Sequence, residues 1–194
     1  MNVKKLAKKI LCPFQCLRLG IKHRKGFLYI GFHCKLVRAA NIYFGENVSI
    51  MPDNMVVCLN DKAKVVFGDG AEIGMYSRID CQNYVEIGEN VLTGPHIFIA
   101  DYNHEYRNPD KPIKCQGNMI SSTPEFSGGG VRIGADTWLG TNVVISGSVT
   151  IGKHCVIGAN SVVTHDIPDY SVAVGSPCRV IKKYDFESKT WKKV

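Results

Sequence analysis

Residues 131–163 read VRIGADTWLGTNVVISGSVTIGKHCVIGANSVV. Starting at Ile133, an aliphatic side chain returns at every sixth position, through Leu139, Ile145, Ile151, Ile157 and Val163. Glycine follows it at 134, 140, 152 and 158. Four places after each aliphatic residue stands something compact or β-branched: Thr137, Val143, Val149, Cys155 and Ser161. Such a period is too long for the alternation of one strand and out of step with the α-helix. It suits one flat side of a coil, with the aliphatic residue pointing inward and the glycine letting the backbone turn at the corner. Three sides close a triangle of about eighteen residues, and stacked triangles bury one another's inner faces, as in other solenoids.

Upstream the same ruler runs less regularly. Phe44, Ile50 and Val56 form one set, Phe67, Ile73 and Ile79 a second, and Ile87, Thr93 and Ile99 a third, with slips of phase between them. The pattern predicts an all-β protein, a parallel β-helix of about five triangular coils, roughly 24 Å tall at the spacing of neighbouring strands. A β-sandwich with regularly spaced short strands explains six consecutive hits at a fixed period poorly.

The ruler stops between Asp101 and Gly130, a stretch that opens DYNHEY and predicts a long extruded loop, 101–130. The chain then divides into a basic helical or irregular segment, 1–40, a β-helix, 41–183, and a C-terminal tail, 184–194. At 194 residues and 45% hydrophobic content this is one sizeable domain.

The net charge of +7 is unevenly spread. Ten Lys and Arg precede the first acidic residue, Glu46, and from there on 14 basic residues face 17 acidic ones. A nucleic-acid binder would carry its positive stripe on the folded module, so that partner is not expected. Within the basic segment, Val3, Leu6, Ala7, Ile10, Leu11 and Phe14 fall at helical spacing, with Lys4, Lys5, Lys8 and Lys9 around them. This amphipathic helix either packs on the body or touches an anionic membrane surface from the cytoplasmic side. No stretch is long enough to cross a bilayer, and a signal peptide is not apparent. The eight cysteines show no metal-binding spacing and suit a reduced, cytoplasmic protein.

From VRIG at 131 to VIKK at 183 the sequence resembles the hexapeptide-repeat acyltransferases, left-handed parallel β-helices. Within them it is similar to the galactoside, maltose and nodulation O-acetyltransferases and to bacterial polysaccharide O-acetyltransferases. The likeness covers about residues 65–183. Left-handedness is implied by the resemblance alone, since crossovers between parallel strands are otherwise right-handed. The resemblance also implies acetyl-CoA as co-substrate, no required metal, and a homotrimer with its sites between subunits.

In this family the extruded loop carries the catalytic histidine, and IGENVLTGPHIFIADYNH runs without a gap to His104. Relatives often read DHNH where this chain has DYNH, so Tyr102 replaces the first histidine. Imidazole suits the removal of a hydroxyl proton near neutral pH, which makes His104 the expected general base for direct transfer. Asp101 or Glu105 could orient it, and the sequence does not choose. His96 reads as structural or substrate-facing. The resemblance implies that the CoA arm runs near Thr141, Ala159 and Thr164, with Trp138 close to the reacting end. The Thr141 amide is a candidate oxyanion donor. Arg179, Lys182 and Lys183 would meet phosphates. In THDIP, 164–168, His165 stands where a lysine is common, and Cys178 stands where alanine is common. Asp80, Asn83 and Tyr102 are candidates for bonding an acceptor.

That acceptor is expected to be a small-molecule or lipid-linked saccharide, a precursor of a cell-surface polysaccharide. The alternatives are a streptogramin-like or chloramphenicol-like antibiotic and the amine of a sugar nucleotide. Outside acyl transfer stand a γ-type carbonic anhydrase, which needs a three-histidine zinc site, and an inert scaffold.

Overall fold

The computed structural model describes residues 16–119 and 129–194. The predicted helix of 3–14 lies outside them. Short strands succeed one another around a three-sided solenoid, and each side is a parallel sheet. One side holds six strands, His23–Arg24, Ile42–Phe44, Lys64–Phe67, Tyr84–Ile87, Val131–Ile133 and Val149–Ile151. Another also holds six, from Lys35–Val37 through Met55–Cys58, Arg78–Cys81, Phe98–Ala100 and Val144–Ser146 to Val162–Val163. The third begins Leu28–Ile30, Val48–Ile50, Glu72–Ile73, Leu92–Thr93, Trp138–Leu139, Val156–Ile157 and Ser171–Val174.

The six-residue ruler is the inner lining. Ile133, Leu139, Ile145, Ile151, Ile157 and Val163 are each at most 1% exposed, and so is Thr137; Val143, Val149, Cys155 and Ser161 are buried with them. Ile133 pairs with Ile151, Leu139 with Ile157 and Ile145 with Val163, so equal residues of successive coils stack into ladders. Downward the ladders continue through Ile87, Thr93 and Ile99. Each such side chain withdrawn from water contributes about 1.5–3 kcal/mol. Cys155 fits its compact place, its thiol donating to the Pro168 carbonyl at 3.1 Å.

Glycine has a different task from the one its place in the repeat suggests. The left-handed backbone at the corners belongs to residues two positions later, Asp136, Asn142, His154 and Asn160, with φ of 58°, 57°, 52° and 60°. Asn and Asp accept that conformation most readily among residues with a side chain. Glycine is needed because the next coil passes too close: a Cβ on Gly134 would lie 2.5 Å from the Gly152 carbonyl carbon and the Lys153 nitrogen. Gly134→Ala must push two backbones apart and is expected to cost about 1–3 kcal/mol. Thermal unfolding should show a Tm lower by roughly 2–12 °C.

Both ends depart from the predicted boundaries. The solenoid starts at His23, not at residue 41: Leu28 and Ile30 pair with Val48 and Ile50, and Leu36 pairs with Val56. Two sheets of six strands, with Ser171–Val174 opening a further turn, exceed the predicted five coils. The first coil keeps the ruler, with Arg24, Ile30 and Leu36 beside Phe44, Ile50 and Val56 and Gly31 directly after Ile30, but it escapes notice because its first side carries Arg24 where an aliphatic residue would stand; Gly31 meets the Pro52 backbone as closely as the later glycines meet theirs. At the other end there is no loose tail. Arg179–Asp185 turns back antiparallel to Ser171–Val174, and Thr190–Lys193 pairs antiparallel with Arg179–Asp185.

Candidate active site

The chain leaves the solenoid after Phe98–Ala100 and rejoins it at Val131–Ile133. Asp101, at the exit, is fully buried. Its Oδ1 accepts the Gln82 amide at 2.6 Å, and its Oδ2 accepts the amides of Asn83 and Tyr84 at 2.7 and 2.8 Å. This carboxylate therefore clamps the corner of the coil below. Glu105 is held by the Arg107 guanidinium and by the amides of Tyr106 and Arg107. Arg107 draws its carboxyl down to about 2. Neither acid is a partner of His104 here.

His104 is exposed, on a two-stranded ribbon: Asn103 and His104 pair antiparallel with Met119 and Asn118. Side chains pin that ribbon to the coils on either side. Asn118 Nδ2 donates to Gln82 Oε1 at 2.6 Å, and the Ser146 hydroxyl donates to Asn103 Oδ1 at 2.9 Å. Tyr102 meets the His104 ring edge-on, with centroids 6.0 Å apart. An imidazole at this position is presented to solvent on a support anchored below and above.

Beneath the ribbon, Arg78 and Asp80 lie two apart on one strand and so share a face. Arg78 Nε donates to both Asp80 oxygens, at 3.0 and 2.8 Å. The Asp80 side chain is 6% exposed while that of Arg78 is 49% exposed, so the guanidinium is the accessible partner. Sequence reasoning missed Arg78, although the i, i+2 pair of opposite charges signals it. Burial pushes the Tyr102 phenol up, Asp80 adds to that, and Arg78 opposes it. Asn83 lies around the corner, its Nδ2 donating to the Gly129 carbonyl at 2.5 Å. His96 stacks on Tyr76 at a corner.

The residues expected to meet CoA fall into three groups. Thr141 and Ala159 are stacked at one corner on adjacent coils: a Cβ on Gly140 would lie 2.6 Å from the Ala159 nitrogen. At two other corners the amide after the repeat glycine is capped by a carboxylate, Glu46 by Asp69 at 2.9 Å and Lys153 by Asp169 at 3.0 Å, whereas those of Asp69, Glu89 and Ala135 are not capped by any described residue. The amides of Thr141 and Ala159 have no such acceptor among the described residues. They are exposed donors on rigid backbone, able to meet a ligand carbonyl or developing negative charge. Thr141 also leads into Val144–Ser146, whose Ser146 holds Asn103.

The second group lies on the outer face of the third sheet. Trp138 is 51% exposed, and its row continues through Val156 and Val172 to Lys182 on the C-terminal hairpin. A cleft of about 410 Å³ opens beside Trp138, bounded by His154, Tyr170, Tyr184 and Trp191. Lys183 pairs with Ser171 on the same hairpin, and Arg179 Nη1 donates to the Cys178 carbonyl at 2.8 Å. Thr164 forms the third group at a separate corner, its hydroxyl 2.9 Å from His165 Nδ1.

The buried thiols offer no nucleophile. Burial, with Asp101 adding to it, pushes the Cys58 thiol up to about 11 against the pull of Arg38. Burial also raises Cys34, Cys81, Cys155 and Cys178. Raised thiols stay protonated and unreactive. Among the described residues no cluster of His, Cys, Asp and Glu could hold a metal ion, and no helix is long and apolar enough to cross a membrane.

The family described as "Bacterial transferase hexapeptide (six repeats)" matches residues 130–165. The chain is 32% identical over 194 residues to WbbJ of Escherichia coli K12, provisionally named a lipopolysaccharide biosynthesis O-acetyl transferase; the match covers 97% of this chain and 98% of WbbJ. It is 41% identical over 116 residues to a probable acetyltransferase of Mycobacterium tuberculosis, covering 60% of this chain but only 36% of that longer protein. In fold it is similar to a variant of AntD, an N-acyltransferase from Bacillus cereus in complex with dTDP-4-amino-4,6-dideoxyglucose and coenzyme A. There the TM-score is 0.74 at 17% identity, over 91% of this chain and 90% of AntD.

Proposed function

The chain belongs to the hexapeptide-repeat acetyltransferase family, and from that premise we propose that it moves an acetyl group from acetyl-CoA to a hydroxyl of a saccharide. The observation that carries this reading is His104, exposed on a ribbon anchored at both neighbouring coils where the repeat is broken. The full-length likeness to WbbJ supports an O-linked product on a glycan precursor. The uncapped amides of Thr141 and Ala159 support a ligand held along that corner.

Acetyl-CoA supplies the activated acyl group as a thioester. His104 takes the proton of the attacking hydroxyl as its oxygen bonds to the carbonyl carbon, and gives that proton to the CoA sulfur as the C–S bond breaks. The Thr141 amide faces the charge building on the carbonyl oxygen. Tyr102 and the guanidinium of Arg78 offer hydrogen bonds to the acceptor, while Asp80 holds Arg78 in place. Direct transfer is favoured because the buried thiols stay protonated. Arg179, Lys182 and Lys183 are available to phosphates as charge-assisted partners.

The working form is a homotrimer, with flat sides packed around a three-fold axis. Neighbouring exposed Leu92 and Trp138 on one side support such packing. The enzyme works in the cytoplasm, and residues 1–40 bring it to the inner face of the membrane. A thiol-release assay with acetyl-CoA tests the reaction against saccharides, antibiotics and amino-sugar nucleotides. CoA release with a saccharide is the expected result. Release only with an antibiotic or an amine acceptor overturns the saccharide assignment, and no release with any acceptor overturns the enzyme.

A further inference from the structure

A groove of about 510 Å³ opens on the first coil, far along the solenoid from Trp138, and among its walls are Lys22, Arg24, Lys25, Tyr43 and Lys64. The Tyr43 ring organises it: His23 stacks on it with centroids 4.2 Å apart, and Lys64 Nζ sits 4.6 Å from its centroid. Lys22, Lys25 and Lys64 have no carboxylate partner among the described residues, and Arg24 Nη1 donates only to the Gly26 carbonyl at 2.6 Å. The one acid on the groove wall, Asp69, is already engaged by the Glu46 amide. Four cations thus line the groove against one carboxylate, an excess of positive charge. Unsatisfied positive charge of this density attracts phosphate groups.

At the same end of the solenoid, Leu17 is 83% exposed and Phe32 72% exposed, and no acidic residue occurs before Glu46. A basic groove and exposed large apolar side chains at one end of the solenoid suit the interface of a bilayer that carries anionic lipid. We propose that this end of the solenoid docks on an anionic phospholipid surface, with headgroup phosphate in the groove. The site lies in the folded coil and does not depend on residues 1–15 or on the acetyltransferase reading.

The test is sedimentation of the full chain with vesicles of phosphatidylcholine alone, or with about a third phosphatidylglycerol, at low salt and at about 0.5 M salt. Binding is expected only to the anionic vesicles, lost at high salt, and weakened roughly 10²-fold in the triple variant Lys22→Ala, Arg24→Ala, Lys25→Ala. Unchanged Tm and unchanged CoA release by that variant separate this site from the active site. Should the triple variant fail to fold, Lys22→Gln with Lys25→Gln, which leaves the strand His23–Arg24 intact, provides the same readout. Equal binding to neutral vesicles overturns the proposal. So does wild-type affinity in the variant, which would assign the attraction to the lysines before residue 16. Binding of inorganic diphosphate in the groove without vesicle binding overturns it in favour of a soluble phosphate ligand.

Discussion

His104→Ala is expected to lower turnover by about 10²–10⁴ while leaving the fold, the oligomer and CoA binding intact. The imidazole is exposed and no hydrogen bond of the ribbon runs through it, so its removal opens no cavity and strands no buried group. What is lost is the acceptor for the hydroxyl proton. The check is CoA release at saturating donor and acceptor, with donor affinity measured separately. A variant that keeps full turnover excludes His104 as the base, and a variant that loses donor binding instead places it in the CoA site.

Asp101→Ala should have the largest effect on stability. Its carboxylate accepts three backbone amides in a site closed to water, and alanine leaves all three donors without partners. Removing one partner from such a buried charged network costs about 3–5 kcal/mol. For a chain of this size that corresponds to a Tm lower by roughly 6–20 °C. Asp101→Asn keeps the shape and a single acceptor oxygen, so its loss should be intermediate. Because the clamp fixes the point at which the loop leaves the coil, turnover should fall with it even where folded protein is recovered. A Tm within a degree or two of wild type would show that water reaches those amides.

These two neighbouring residues mark what the sequence discloses. Periodicity revealed the inner lining because every sixth side chain has one geometric duty, and Ile133 through Val163 discharge it without exception. Position in the family's loop singled out His104. Asp101, three residues earlier, reads equally well as its catalytic partner, yet in the fold both its oxygens turn back to the amides of 82–84. The same holds for Asp80, which looks like a sugar ligand until Arg78 occupies it. The C-terminal strand was legible in principle, since Val180, Lys182 and Tyr184 alternate with more exposed Arg179, Ile181 and Lys183. Its lysines disguise that period of two as a solvated run. The opening coil was hidden for another reason: it keeps the spacing of six through Ile30 and Leu36 but carries Arg24 where an aliphatic residue would advertise its first side.

The hairpin formed by 179–185 and 190–193 has a consequence for assembly. A parallel ladder of identical rungs is a template on which a second molecule could continue, rung upon rung, into a filament. By reversing direction, the last two strands present an antiparallel margin studded with Lys189, Lys192 and Lys193, to which another chain's first rung, itself basic, has no matching register and every electrostatic reason to stay away. On that sheet the margin disfavours stacking of a second molecule along the axis.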